Sequence, residues 1–202
     1  MCEPCSADHL HWRAMQVADL PQVYSIAAQV HPAYPEQPQV FAERLRLYPE
    51  GCWVWQQAGQ LAGYLISHPW HKMQPPALDS LLHALPRMAK LPGQKAVPSI
   101  KAVTSIDAVT KNACTYYLHD IALLPQARGQ QATPRILPTL AQLAHALGLD
   151  NISLVAVNQS LSFWQAQGFK PVAAEQDLAA KLQSYGPETH YLQCALSQIT
   201  TI

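Results

Sequence analysis

The order of strand-like and helix-like runs along the chain predicts an α/β fold: a mixed sheet with helices on both faces. Three observations carry this expectation. Two alternating runs surround Ala58-Gly59-Gln60 in "CWVWQQAGQLAGYLIS", 52 to 67, the pattern of a β-hairpin. A strongly apolar run, "TYYLHDIALLP" at 115 to 125, leads through a short polar loop into a helical run from 132 to 147. A second buried strand, "NISLVAV" at 151 to 157, then a short helix and two late strands in "FKPVAA" and "THYLQCAL", complete the sheet.

Residues 1–10 are polar and read as a flexible N-terminus, so a single domain is expected over 11–202. Asp19 stands before "LPQVYSIAAQV" as a capping carboxylate with Pro21 in the first turn, and the helix runs to Val30. "HPAYPEQP", 31 to 38, is a proline-broken loop, and "QVFAERLRLYP" reads as a second helix ending before Pro49. Beyond Pro69 the periodicity weakens. "LDSLLHALPRM" reads as helical and residues 90–113 as a long loop excursion. Gly168 lacks the Cβ that penalises a left-handed C-cap, and so stops the short helix in "QSLSFWQAQ".

Composition excludes several classes of partner. The chain has 202 residues, 49% of them hydrophobic, with 13 basic side chains balancing 13 acidic ones, so no net field draws in nucleic acid or an anionic membrane. No run approaches the roughly 20 apolar residues of a membrane span, and "MCEPCSADHLHWR" lacks the basic start and apolar centre of a signal peptide. The expectation is a cytoplasmic monomer or homodimer that handles a small molecule. Cys2, Cys5, Cys52, Cys114 and Cys194 are odd in number and scattered, and read as thiols. Cys2 and Cys5 have no second pair to complete a zinc site, and His68 and His71 in the proline-broken "SHPWH" have no third ligand nearby, so no metal is expected.

The most specific stretch runs from Tyr117 to Phe169. "LHDIALLPQARGQQATPRIL", followed by "NQSLSFWQAQGF", resembles the GNAT superfamily of acyl-CoA-dependent N-acyltransferases. Arg128 and the loop after it fall on the family's R-x-x-G-x-G/A motif, and Asn158, Phe163, Trp164, Gly168 and Phe169 carry its later N-x-x-x-x-F-[YW]-x-x-x-G-F pattern. Within the superfamily, "YPEGCWVWQQAGQLAGYLISHPW" and "YLHDIAL" are most similar to the arylalkylamine N-acetyltransferase branch and its bacterial relatives. The resemblance implies a mostly antiparallel central sheet with one parallel pair at the cofactor cleft. It also implies acetyl-CoA as co-substrate and direct transfer, without a metal, to a small primary amine such as an arylalkylamine or polyamine. Ile121, Ala122 and Leu123 would then offer backbone groups to the pantetheine arm, with Asn158 and Trp164 beside it. Arg128, Gly129, Gln130, Gln131, Ala132 and Thr133 would form the pyrophosphate loop.

Amide groups at a helix N-terminus bind such an anion without any cationic side chain. Here Gln131 and Thr133 stand where the family has glycine or alanine, and a side chain limits close backbone approach. Helical dihedrals at Gln131 would leave its amide available. Pro134 costs little in a first turn, whereas Pro138 removes a hydrogen bond or kinks the helix at about 3 kcal/mol. These departures motivate a second reading, a catalytically impaired module of the same fold that binds acyl-CoA or a protein.

A primary amine has a pKa of about 10.4, so acyl transfer at neutral pH needs a proton acceptor, and a histidine side chain, titrating near 6.5, suits that task. Taken alone, His119 reads as a hydrogen-bonded core histidine; inside the motif it reads as the base. Tyr117 stands where the arylalkylamine branch has a second histidine. Asp120 would orient or charge His119, although strand alternation points neighbouring side chains to opposite faces. Trp164 occupies the position from which a tyrosine protonates the departing thiolate in many relatives, and indole cannot do so. Tyr185, Tyr117 or water remain as donors, or the thiolate leaves unaided. Tyr34 and Trp70 are candidate aromatic walls for a cationic acceptor, and both read equally well as loop packing.

Overall fold

The computed structural model describes residues 10–86, 114–173, 176–186 and 188–199. The expected excursion at 90–113, Cys2, Cys5 and all of the N-terminal segment except Leu10 lie outside the described residues. Seven strands, β1 (His11–Ala14), β2 (Cys52–Gln57), β3 (Gln60–His71), β4 (Cys114–Leu123), β5 (Asn151–Ala156), β6 (Lys170–Pro171) and β7 (His190–Ala195), form one sheet in the order β1-β2-β3-β4-β5-β7-β6. Only β4 and β5 run parallel; the other neighbouring pairs are antiparallel. Among the described residues five helices flank the sheet: α1 (Leu20–Val30), α2 (Pro38–Leu47), α3 (Ala132–Ala146), α4 (Leu161–Ala166) and α5 (Gln176–Gln183).

Two apolar layers follow from strand alternation. On one face Tyr116, Leu118, Ile152 and Leu154 pack with Ile136, Leu140 and Ala144 of α3. On the other, Val54, Tyr64, Ile66 and Ala122 pack with Val23 and Ile26 of α1 and Phe41 of α2. The hairpin turn forms where it was expected, with Ala58 (φ 47°) and Gly59 (φ 78°) both left-handed, the backbone that matches the twist of the flanking strands. Gly168 (φ 89°) ends α4 as anticipated.

Several local expectations are corrected. Asp19 does not cap α1: its carboxylate accepts the Gln16 amide at 2.8 Å and pairs with Arg13 at 2.7 Å, which ties the end of β1 to the turn before the helix. "SHPWH" is not a turn but the end of β3, where Pro69 faces Tyr116. Proline is tolerated there because β2 stops pairing at Ile66, so among the described residues no second strand asks for the missing N–H. Pro138 does not end α3, which continues through it at the expense of one bond to the Pro134 carbonyl. Strand β1 and helix α5 were not foreseen, although Leu178 and Leu182 are buried at helical spacing.

The described part of "LDSLLHALPRM" is not helical, and Asp79 (φ 51°) and His83 (φ 61°) are left-handed. Tertiary hydrogen bonds replace the helical ones. Glu43 on α2 accepts the amides of Leu82 (2.7 Å) and His83 (2.9 Å), while Arg44 donates to the Ser80 carbonyl (2.8 Å). Asp79 accepts the Gln37 amide at 2.6 Å. The segment is thus strapped across α2 and the loop before it.

Candidate active site

The parallel strands pair only at Tyr116–Ile152 and Tyr117–Ser153. Thr115 Oγ1 stitches that end by donating toward Asn151 Oδ1 (2.5 Å) and Ser153 Oγ (2.9 Å). Beyond it β4 and β5 are no longer hydrogen-bonded, and a cleft of about 880 Å³ opens between them, walled further by the C-terminal end of α1, the N-terminal end of α3 and α4. A parallel pair that separates leaves main-chain donors and acceptors along its free edges.

The register of β3 against β4 decides which side chains reach this cleft. Ile66 faces Asp120 and Ser67 faces Leu118, so His119 is the extra residue of a β-bulge. A bulge puts two successive side chains on one face. Leu118 and Ile121 accordingly turn to the α3 side while Ala122 turns to the α1 and α2 side, and His119 and Asp120 share a face. Simple alternation, which would have separated them, does not hold here.

The two nevertheless serve different partners. His119 Nε2 meets Glu36 Oε2 at 3.3 Å, with both side chains almost fully enclosed. Asp120 Oδ1 meets His31 Nε2 at 3.2 Å, and Tyr64 donates its hydroxyl to Asp120 Oδ2. Asp120 is therefore the partner of His31, and Glu36 holds His119. Neither His31 nor Glu36 was singled out from the sequence, yet they are the only imidazole and carboxylate in "HPAYPEQP". Burial works against the carboxylates of both pairs and is outweighed in each. It would raise the Glu36 and Asp120 carboxyls, but His119 in the first case and His31 in the second bring them below the usual range. It would lower His31, but the hydrogen bond and charge of Asp120 raise it. His68, enclosed 5.8 Å from the His119 ring with Nδ1 3.1 Å from the Pro69 carbonyl, is pushed well down by burial and stays neutral.

These shifts have a testable sign. Asp120, with its lowered pKa, contributes stability above its unfolded value near 4 and loses it as pH falls through the folded value. His31, with its raised pKa, contributes below its unfolded value near 6.5 and loses it as pH rises through the folded value. The Tm difference between wild type and Asp120→Asn is therefore expected to peak between about pH 4 and 6.5 and to shrink on both sides. A difference that stays flat from pH 3 to 9 would show that the pair contributes no charge-dependent stability.

Around the loop after β4, Ile121, Leu123, Arg128, Gly129, Gln131, Ala132 and Thr133 line the cleft, as do Asn158 and Trp164 from the opposite wall. Ala122 and Gln130 do not line it: Ala122 is buried beneath the sheet, and the Gln130 carboxamide donates to the Gln126 carbonyl at 2.8 Å. Gln131 does not take helical dihedrals but is left-handed (φ 56°, ψ 28°), the conformation for which glycine is used. The Ala132 and Thr133 amides that follow belong to the first turn of α3, where no intrahelical acceptor exists, and Pro134 has no N–H to offer. Trp12 fixes that turn by donating Nε1–H to the Ala132 carbonyl at 2.7 Å.

Tyr34 and Tyr185 line a smaller cavity beside His119. Tyr185 donates its hydroxyl to the Pro76 carbonyl, and burial raises its pKa. Tyr117 is fully buried, hydrogen-bonded to Tyr185, and lines neither space. Trp70 is not brought to the site either: it donates to the Gln74 carbonyl at 2.8 Å and packs beside Tyr117, Leu178 and Leu182. Among the described residues no group of three or more His, Cys, Asp or Glu is arranged to hold a metal ion.

A splayed parallel pair, a helix N-terminus aimed at the gap and a bulge carrying a histidine define an acyl-transfer fold with a groove for a thioester donor. Residues 15–169 match the acetyltransferase (GNAT) family. The chain belongs to that family and is an acyltransferase. No characterised protein sequence matches significantly. Among solved structures, the fold is similar to the GphF GNAT-like decarboxylase in complex with isobutyryl-CoA (TM-score 0.64, 13% identity, covering 92% of this chain and 99% of that one). It is also similar to the ribosomal-protein-S18-alanine N-acetyltransferase from Escherichia coli (0.54, 14%, 93% and 94%). A third similar structure is N-acetylglutamate synthase from Neisseria gonorrhoeae complexed with coenzyme A and N-acetyl-glutamate (0.57, 14%, covering 93% of this chain but 35% of that one).

Proposed function

We propose that the protein transfers the acetyl group of acetyl-CoA to a small primary amine by direct attack, with His119 as the base. The observation that carries this reading is the bulge at His119, which sets its imidazole against Glu36 at the junction of the large cleft and the smaller cavity. The acceptor enters protonated. His119 takes one proton from its nitrogen, the free amine forms the C–N bond as the C–S bond breaks, and the second nitrogen-bound proton ends on the departing sulfur or in water. Glu36 stabilises the imidazolium that results. Tyr185 lines only the smaller cavity and gives its hydroxyl proton to the Pro76 carbonyl, so the departing sulfur takes its proton from the amine or from water.

The cofactor groove is expected to work despite Gln131, because the loop presents its amides at the cleft whichever side chain they carry. Isothermal titration should give one acetyl-CoA site per chain, followed by turnover over a panel of primary amines. In the same titration Gln131→Gly should bind acetyl-CoA more tightly, and its unfolding should be harder by about 1 kcal/mol or less, since glycine relieves a left-handed backbone while adding unfolded-state entropy. Weaker binding by Gln131→Gly would mean the carboxamide itself contacts the donor. Tight binding with no turnover on any amine would favour a binding module over an enzyme for small amines.

A further inference from the structure

Resting on the acetyl-transfer reading, we propose that Glu36 selects the acceptor: its carboxylate receives the ammonium head of a slim primary amine and holds His119 in place to deprotonate it. The smaller cavity has a volume of about 60 Å³ and adjoins the cleft through His31, His119, Asp120, Val155 and Val157, which line both. A space of that size admits an ammonium head with its first methylene. Its walls include the carboxylates of Glu36 and Asp120 and no lysine or arginine.

The two carboxylates are not equivalent. Asp120 is satisfied on both oxygens, by His31 and by Tyr64. Glu36 is held more loosely, with Oε1 accepting the Asp79 amide at 3.2 Å and Oε2 at 3.3 Å from His119, both longer than the 2.7–2.9 Å of a strong charge-assisted bond. A base must start neutral, and with His119 neutral the cavity holds two carboxylates against one cationic side chain, His31, whose Nε2 is given to Asp120. Arg44 acts on Glu36 only through its charge, because its guanidinium donates to Glu43 (2.8 Å) and the Ser80 carbonyl. A protonated amine supplies the missing positive charge. When its N–H bond breaks and an N–H bond forms on the imidazole, the charge moves to His119, still beside Glu36. The carboxylate therefore faces a cation before and after the transfer, whereas neutral and anionic acceptors gain nothing from it. Glu36 owes its position to the Asp79 amide, and so to the segment that α2 straps down.

The test compares binding of n-butylammonium and its uncharged isostere 1-butanol by ligand-observed NMR, with coenzyme A present so that no turnover occurs. Wild type should prefer the ammonium by about tenfold or more, the factor that a charge-assisted hydrogen bond supplies. Glu36→Gln should bring the preference within about threefold and leave coenzyme A affinity unchanged, and Glu36→Asp should fall between. A preference retained by Glu36→Gln, or absent in wild type, overturns the proposal. A preference that depends on Glu36 in a protein that acetylates no amine would uphold this assignment and sink the transfer reading. Amine turnover with a preference indifferent to Glu36 would do the reverse.

Discussion

Replacing His119 by alanine is expected to lower kcat/KM on an amine acceptor by about 10² or more, with KM for acetyl-CoA close to the wild-type value. The two halves of that expectation come from geometry. His119 sits on the bulge with Nε2 against Glu36, so its loss removes the proton acceptor and leaves a buried carboxylate with no imidazolium to stabilise. The groove residues on α3 and the loop before it are anchored separately, by Trp12 and by the packing of Ala127 and Ala132 on Trp55. The wild-type pH profile should lose activity on the acid side as the base protonates, and that limb should flatten in His119→Ala. An acid limb that survives unchanged removes His119 from the role. The next candidate would then be His31, which lines the same cleft and already has a carboxylate partner.

Arg44→Met is expected to destabilise the fold by about 3 kcal/mol, the lower end of the cost of breaking a buried ion pair. The Arg44 side chain is 1% exposed, and its two donor contacts, to Glu43 and to the Ser80 carbonyl, have no solvent replacement. Removing it leaves the enclosed Glu43 with the Leu82 and His83 amides and, at 3.9 Å, the exposed Arg46 as partners. For a domain of this size the loss corresponds to roughly 10 °C in Tm. The same change frees one end of the segment that sets Glu36, so amide exchange at Leu82 and His83 should accelerate. The double variant Glu43→Gln with Arg44→Met should recover much of the loss, because the stranded charge rather than the missing arginine accounts for most of it. A single variant melting within 2 °C of wild type would show the pair to be energetically idle.

Much of the site was legible from local sequence because the relevant signals are local. Arg128 and Gly129 at a strand-to-helix junction, Asn158 thirty residues on, and Gly168 at a helix end each declare a backbone requirement within a few residues of themselves. Strand, loop and helix formed where apolar periodicity placed them, and the parallel pair at the cleft followed from the family resemblance. The departures at Gln131 and Pro138 were visible too, but not their resolution: a left-handed glutamine and an unbroken helix.

What the sequence by itself determined, then, was the family, the order of the elements from the hairpin and from β4 to β5, and the presence of His119 on β4. Only the tertiary structure decided which groups that histidine works with. The bulge that turns His119 and Asp120 to one face arises from a register mismatch against β3, which no window of β4 contains. Glu36 lies 83 positions from His119, and His31 about as far from Asp120, in a loop whose prolines advertise only irregularity. The strap at 79–83 reads as helical locally and is pulled straight by Glu43 and Arg44, since three tertiary hydrogen bonds outweigh a short helix with little propensity behind it. Local preferences are worth tenths of a kcal/mol per residue, whereas a buried charge without its partner costs several. The pairing of charges across the fold therefore settles what the local pattern leaves open.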